Sequence, residues 1–410
     1  MSVAVKSASA VPRAVPLRAR HLMVLVCILF SAVAASLLIL QAAPVPFFWL
    51  WLTWAAVLFL AIFPVPGDWP RAILLNLGIV AILMAMGEAY LSAHEYIPPV
   101  YPDGAFFVPD DVLGWAPAKG MKAHAIKPNP AGVFHHPEGF LFDRTYTIDS
   151  NGLRIAPPYR KDDLAGTALF FGCSFAFGEG LKDDETLPYQ IGLQSQGQYR
   201  TFNFSFQAYG PNHMLAEIDH GMVRRVVDTT PQYAFYVAIP GHVRRVAGRV
   251  NWGGHAPRYV LDADGTVHQA GHFEDRKPLA VRLGIHHGVR QLKKSAMWRT
   301  LESIDPPITN DDIRLYFAVV RRSQELLTAQ YPGIQFRVIL WPNTDPQGRT
   351  LYEKLRDGFR QMGMPLDLVE DILPGYNSDR SKFILSSVDR HPNALADQLL
   401  AQYVVSKILR

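Results

Sequence analysis

ALFFGCSFAFGEG, residues 168–180, is where an apolar run of strand length breaks into glycine and serine. Ala168 to Phe171 lead straight into Gly172, Cys173 and Ser174, and further glycines follow at 178 and 180. An unbroken apolar run bounded by glycine fits a strand buried on both faces. A hydroxyl at the end of such a strand is either a turn residue or a nucleophile held at the tip of a sheet. The rest of the chain decides between them.

The same pattern recurs downstream. Runs of strand length are TFNF (201–204), YAFYVAI (233–239) and FRVILW (336–341). Helix-like stretches lie between and after them: 212–227 behind Pro211, then 311–330, 349–362 and 393–409, the last with apolar residues three and four apart. Apolar strands alternating with helices predict a parallel sheet covered on both sides, a three-layer α/β/α domain over residues 164–410. Residues 246–310, rich in Gly, His and Arg and poor in periodicity, read as an insertion in it. Residues 94–163 read as a small β-rich lead-in; Asn151-Gly152 in RTYTIDSNGLRI marks a hairpin turn.

The chain opens differently. After a basic segment, 1–21, three apolar runs follow: 22–40, 47–63 with Trp49, Trp51 and Trp54 near one end, and 72–87, which carries Asn76. Pro-rich connections join them, so residues 22–93 are expected to form a membrane anchor of three transmembrane helices. A cleaved signal peptide accounts for the first run but not for three. Lys6, Arg13, Arg18 and Arg20 precede the first run. Basic residues favour the cytoplasmic side, so the N-terminus is expected there and, after three crossings of a bacterial inner membrane, the C-terminal domain in the periplasm. The other reading makes the third run a surface or core helix and leaves the domain inside.

Composition excludes several classes. The 410 residues carry 40 basic and 36 acidic side chains, a net charge of +4, with no basic stripe interleaved with aromatics, so no nucleic-acid partner is expected. Cys27 and Cys173 fall in unlike surroundings, and neither a disulfide nor a metal site is expected of them. His135-His136 and His286-His287 lack the spacing of metal ligands and read as surface residues; no metal or cofactor is expected.

Functional groups of a parallel sheet gather beyond the carboxyl ends of its strands, which is where Ser174 falls. Its clearest partner is SSVDRHPNALADQ, with Asp389, His391, Pro392 and Asn393. Side chains two apart project together only from an extended segment, and Pro392 biases His391 away from helical angles. Asp389 then accepts the Nδ1 proton of His391, and Nε2 is left to take the proton of Ser174. Cys173, adjacent, points the other way and reads as an inert thiol. The α/β-hydrolase elbow Gly-x-Ser-x-Gly does not fit, since position 176 is Ala.

Together FFGCSFAFGEGLKDDETLP (170–188) and DRHPN (389–393) resemble the first and last blocks of the SGNH/GDSL hydrolase family, over roughly residues 164–410. YTIDSNGLR (146–154) is similar to a segment that precedes the domain in membrane-anchored relatives. The resemblance implies a flavodoxin-like parallel sheet, with Ser174 as nucleophile, His391 as base and Asp389 as its orienting acid. In NFSFQAYGPNHML, Ser205 takes the place of a family glycine whose N–H helps bind the oxyanion. In AIPGHVRR, Gly241 and His242 stand where the family has an Asn donor. The implied function is a membrane-anchored serine esterase or acyl transferase. Its substrates would be acyl esters, such as O-acetyl esters of cell-envelope glycans or lipids. If it transfers acyl groups, a multi-span membrane acyl donor is the implied partner. The altered donor block points to the alternative, a catalytically impaired glycan-binding or assembly protein of the same fold.

Overall fold

The computed structural model describes residues 17–43, 45–94, 97–129, 139–276, 291–302, 306–343 and 346–409. The paired histidines at 135–136 and 286–287 and most of the basic N-terminal segment lie outside them. The described residues fall into two compact units: 17–94 with 291–301, and the remainder. The expected insertion 246–310 is thus divided between them.

The first unit is helical: α1 (Leu17–Ala42), α2 (Pro46–Ala61) and α3 (Asp68–His94), with most of a short helix, α9 (Ala296–Glu302). Two of these are long and apolar enough to cross a membrane, Leu22–Ala42 and Asp68–His94, rather than the three expected. The 16 residues of α2 reach about 24 Å at ~1.5 Å per residue, short of a hydrocarbon core of about 30 Å. Proline starts this helix and a turn at 62–65 ends it, which fixes its length. By contrast α3 runs well past the expected 72–87. Its one acid beyond the first turn, Glu88, is buried and satisfied: it accepts from the Ser295 hydroxyl and from the amides of Ala296 (2.8 Å) and Met297 (3.4 Å). A carboxylate that collects the free N–H groups opening α9 is compatible with an otherwise apolar helix. Gly78 of α3 lies against the Phe59 ring of α2, where a Cβ would come within 2.6 Å.

In the second unit the lead-in forms two antiparallel pairs, β1 (Phe107–Asp110) with β2 (Gly114–Pro117) and β3 (Lys122–Pro128) with β4 (Phe140–Thr147). The main sheet contains β5 (Gly166–Phe171), β6 (Tyr199–Asn203), β7 (Tyr233–Ala238), β10 (Gln335–Leu340) and β11 (Leu366–Leu368), all parallel, in the order β11-β10-β7-β5-β6. The hairpin β8 (Pro257–Leu261) and β9 (Val267–His272) stands apart from it.

Strand alternation builds both faces at once. Leu169 and Phe171 of β5 join a core with residues of α6 (Pro211–Asp219), α10 (Asn310–Gln330) and α11 (Pro346–Gln361). Ala168 and Phe170 point the other way, into a core with α5 (Leu187–Gln194) and α13 (Ala394–Tyr403). Every residue of β5 and β7 is buried, as strands covered on both faces require. The fifth strand, β11, escaped the sequence reading because its middle residue is Asp367. That carboxylate is held by Arg337 of β10 (2.9 and 3.0 Å) and by the Tyr403 hydroxyl (3.0 Å). From β5 the chain goes to β6 on one side and then to β7 on the other, so the reversal that opens a crevice falls at the end of β5.

Candidate active site

Ser174 opens α4 (Ser174–Phe177), directly after β5. A helix of four residues survives because glycine closes it: Gly178 takes φ +82°, and the amides of Gly178 and Glu179 return to the Ser174 carbonyl at 3.0 and 2.9 Å. Gly180 is also left-handed, at φ +84°, and a Cβ there would meet Leu385 at 2.3 Å. Below the turn lies the guanidinium of Arg154, from the segment after β4. It donates to the carbonyls of Phe177 (2.8 Å), Gly178 (2.6 Å) and Leu181 (2.7 Å) and to Asp183 (3.1 Å). The rings of Tyr146 and Phe177, edge to face with each other, both lie against it, at 4.4 and 4.8 Å.

The partners come from the loop before α13. Pro392 bridges back to Ile384, the Leu385 amide donates to the His391 carbonyl (2.9 Å), and Asn393 caps α13 by accepting from the Ala396 amide (3.1 Å). Held this way, Asp389 and His391 project together. His391 Nε2 lies 2.7 Å from Ser174 Oγ, and His391 Nδ1 lies 2.5 Å from Asp389 Oδ1, which also accepts the His391 amide (3.1 Å). The second oxygen of Asp389 accepts from Lys127 Nζ of β3 at 2.7 Å, and both side chains are buried. A further carboxylate, Glu179, places Oε2 3.9 Å from His391 Nε2.

These charges set the protonation states. Burial alone would raise the Asp389 carboxyl; the hydrogen bond and charge of His391, with Lys127, outweigh it and hold the group well below the usual carboxylate range. Burial pulls His391 down, but Glu179 and Asp389 win and its pKa is raised. Glu179, Asp389 and His391 are the one group of potential metal ligands among the described residues, within 4.8 Å of one another. Both ring nitrogens of His391 are already hydrogen-bonded, so the group reads as a relay for a proton.

Ser174 and His391 open onto a cavity of about 650 Å³, walled by Tyr101, Phe107, Phe175 and Trp252 and reached by Arg245 and Ala208. The other three residues expected here are placed elsewhere. Ser205 lines a different cavity, and its amide is already used, donating to Asn203 Oδ1 at 3.1 Å. Gly241 borders a third cavity, with Arg244 and Lys354. His242 is fully buried in α8 (His242–Val246), its Nδ1 2.7 Å from the Tyr236 hydroxyl, and burial and Arg245 keep its pKa well below that of a free imidazole. None of the three lines the cavity that Ser174 opens onto.

Ala208 takes the wall position instead. It is left-handed at φ +66°, a conformation uncommon without glycine, and its amide has no acceptor among the described residues. Beside it Gln207 accepts the Tyr101 hydroxyl (2.7 Å), while its Nε2 is buried without a partner among the described residues. Sequence reasoning missed Lys127, Arg154, Glu179 and Ala208. Only Glu179, between two turn glycines, carried a local signal.

No family model matches the chain, and no curated protein matches it. Among solved structures it is similar to a putative lipolytic protein of the G-D-S-L family from Desulfitobacterium hafniense, at 11% identity and TM-score 0.32, over 58% of this chain and 98% of that one. A G-D-S-L family protein from Veillonella parvula is similar at 13% identity and TM-score 0.34, over 60% and 98%. An acetyl xylan esterase from Butyrivibrio proteoclasticus is similar at 10% and 0.31, over 64% and 65%. Likeness this distant says nothing of chemistry; the distances around His391 do.

Proposed function

We propose that the chain is a membrane-anchored serine esterase of the SGNH type, acting on acyl esters such as O-acetyl groups of cell-envelope glycans or lipids. One observation carries the reading: Ser174 Oγ, His391 and Asp389 form an unbroken hydrogen-bonded series of 2.7 and 2.5 Å at the carboxyl end of a buried strand. In that series Asp389 holds the proton on Nδ1, so Nε2 accepts from the serine hydroxyl and Ser174 Oγ attacks the ester carbonyl. The tetrahedral oxygen is received by the amides of Ser174, which has no helical partner as the first residue of α4, and of Ala208. His391 then gives its proton to the departing alcohol. The aromatic walls of the cavity suit an acyl group or the face of a sugar ring.

The length and apolar composition of α1 and α3 support anchoring by these two helices. A periplasmic position for the second unit further requires α2 to cross. Its shortfall of about 6 Å is within what local thinning of the bilayer accommodates at modest cost.

Ser174→Ala should lower turnover of p-nitrophenyl acetate by about 10³-fold or more with the thermal transition unchanged. Undiminished turnover would refute the assignment. The absence of Gly241 and His242 from the cavity favours a second reading, a non-catalytic glycan-recognition domain. A fluorophosphonate that leaves wild-type Ser174 unlabelled would favour that one.

A further inference from the structure

A serine esterase and a serine acyl transferase share their first half-reaction and differ in what ends the second. The nucleophile that cleaves the acyl–Ser174 ester must approach His391 Nε2, because that atom takes its proton. In this chain the approach is shared with a second acceptor. Glu179 is buried, sits in the turn held by the Ser174 carbonyl, borders the same cavity as Ser174, and has Oε2 3.9 Å from Nε2.

An oxygen placed about 2.8 Å from both atoms is at hydrogen-bonding distance from each. Over the 3.9 Å separation, the two directions make roughly a right angle at that oxygen, close to the angle between the two O–H bonds of water. Water can therefore donate one hydrogen to Nε2 and the other to Glu179. A sugar or other alcohol has one hydrogen on the attacking oxygen. Once it is given to His391, the lone pairs of that oxygen face a carboxylate.

We propose that Glu179 positions the water that ends the reaction, so that the chain is a hydrolase and not a transferase; this rests on the serine esterase reading above. In the step itself, water gives one proton to His391 Nε2 as its oxygen bonds to the acyl carbon. The tetrahedral centre breaks its bond to Ser174 Oγ, which takes that proton back from His391, and the carboxylic acid leaves. Glu179 ends as it began, a carboxylate acting only through the water.

The test reads the fate of the acyl-enzyme rather than overall rate. With p-nitrophenyl acetate in buffer containing methanol, the ratio of methyl acetate to acetate reports how acyl–Ser174 partitions, whichever step limits turnover. Glu179→Leu removes the acceptor at similar volume and should raise that ratio about tenfold over wild type, while fluorophosphonate labelling of Ser174, read at a pH above the acid limb where His391 is neutral in both proteins, keeps its rate. Glu179→Asp, which retains the carboxylate, should fall between the two. An unchanged ratio in Glu179→Leu, or labelling slowed as much as hydrolysis, overturns the role of Glu179 and leaves the esterase reading standing. Wild-type protein that neither labels nor releases p-nitrophenol overturns both.

Discussion

His391 sits between two carboxylates and near one ammonium, and the balance has a measurable sign. The imidazole must be neutral to take the serine proton, so kcat/KM rises with pH as His391 loses its own proton. Glu179 and Asp389 raise its pKa against the opposing effects of burial and Lys127. The acid limb of kcat/KM should therefore lie above the ordinary imidazole value of about 6.5. Lys127→Met removes one of the influences that lower it and should move that limb further up the pH axis. A pH–rate profile in which the limb stays put or moves down would contradict this. The midpoint of the limb is independent of how much enzyme is folded, so the destabilisation expected from stranding Asp389 does not obscure it.

Elements meet at Arg154. The residues after β4 supply the guanidinium that ties together three carbonyls of the turn after α4, and β3 supplies the ammonium against Asp389. The lead-in is thus part of the site's scaffold, not a spacer before it. Arg154→Ala takes that donor from all three, leaving only the Gly178 carbonyl with another, the Leu181 amide, and opens a void beside the rings of Tyr146 and Phe177. It should cost about 3 kcal/mol or more of stability, read by denaturant unfolding. A loss under about 1 kcal/mol would mean that the turn holds its shape without the lead-in.

At the scale of the whole molecule, the proposed membrane anchor predicts on which side the second unit lies. If α2 crosses with α1 and α3, the second unit lies opposite the N-terminus; if α2 does not, both lie on the same side. Asp264 is fully exposed in the turn between β8 and β9, whereas Cys173 is buried and Cys27 lies within α1. In a Cys27→Ser background, Asp264→Cys should react with a membrane-impermeant maleimide in cells whose outer membrane alone has been opened. Reaction only after full lysis would place the unit in the cytoplasm and show that α2 does not cross.

The sequence by itself determined the parallel α/β domain, because strands covered on both faces leave unbroken apolar runs. It also determined the serine–histidine–aspartate series. Ser174 ends such a run, and the spacing of Asp389 and His391, with Pro392 behind them, makes sense only in an extended loop. A strand interrupted by an ion-paired aspartate left no such trace, and β11 was passed over. Tertiary structure alone decided what surrounds the series. Burial turned His242 into a core residue and Asn203 occupied the Ser205 amide, while a left-handed backbone put Ala208 at the wall. Lys127 and Arg154 came in from distant segments. A buried charge is specified by the partner it meets across the fold, and that partner has no fixed place along the chain.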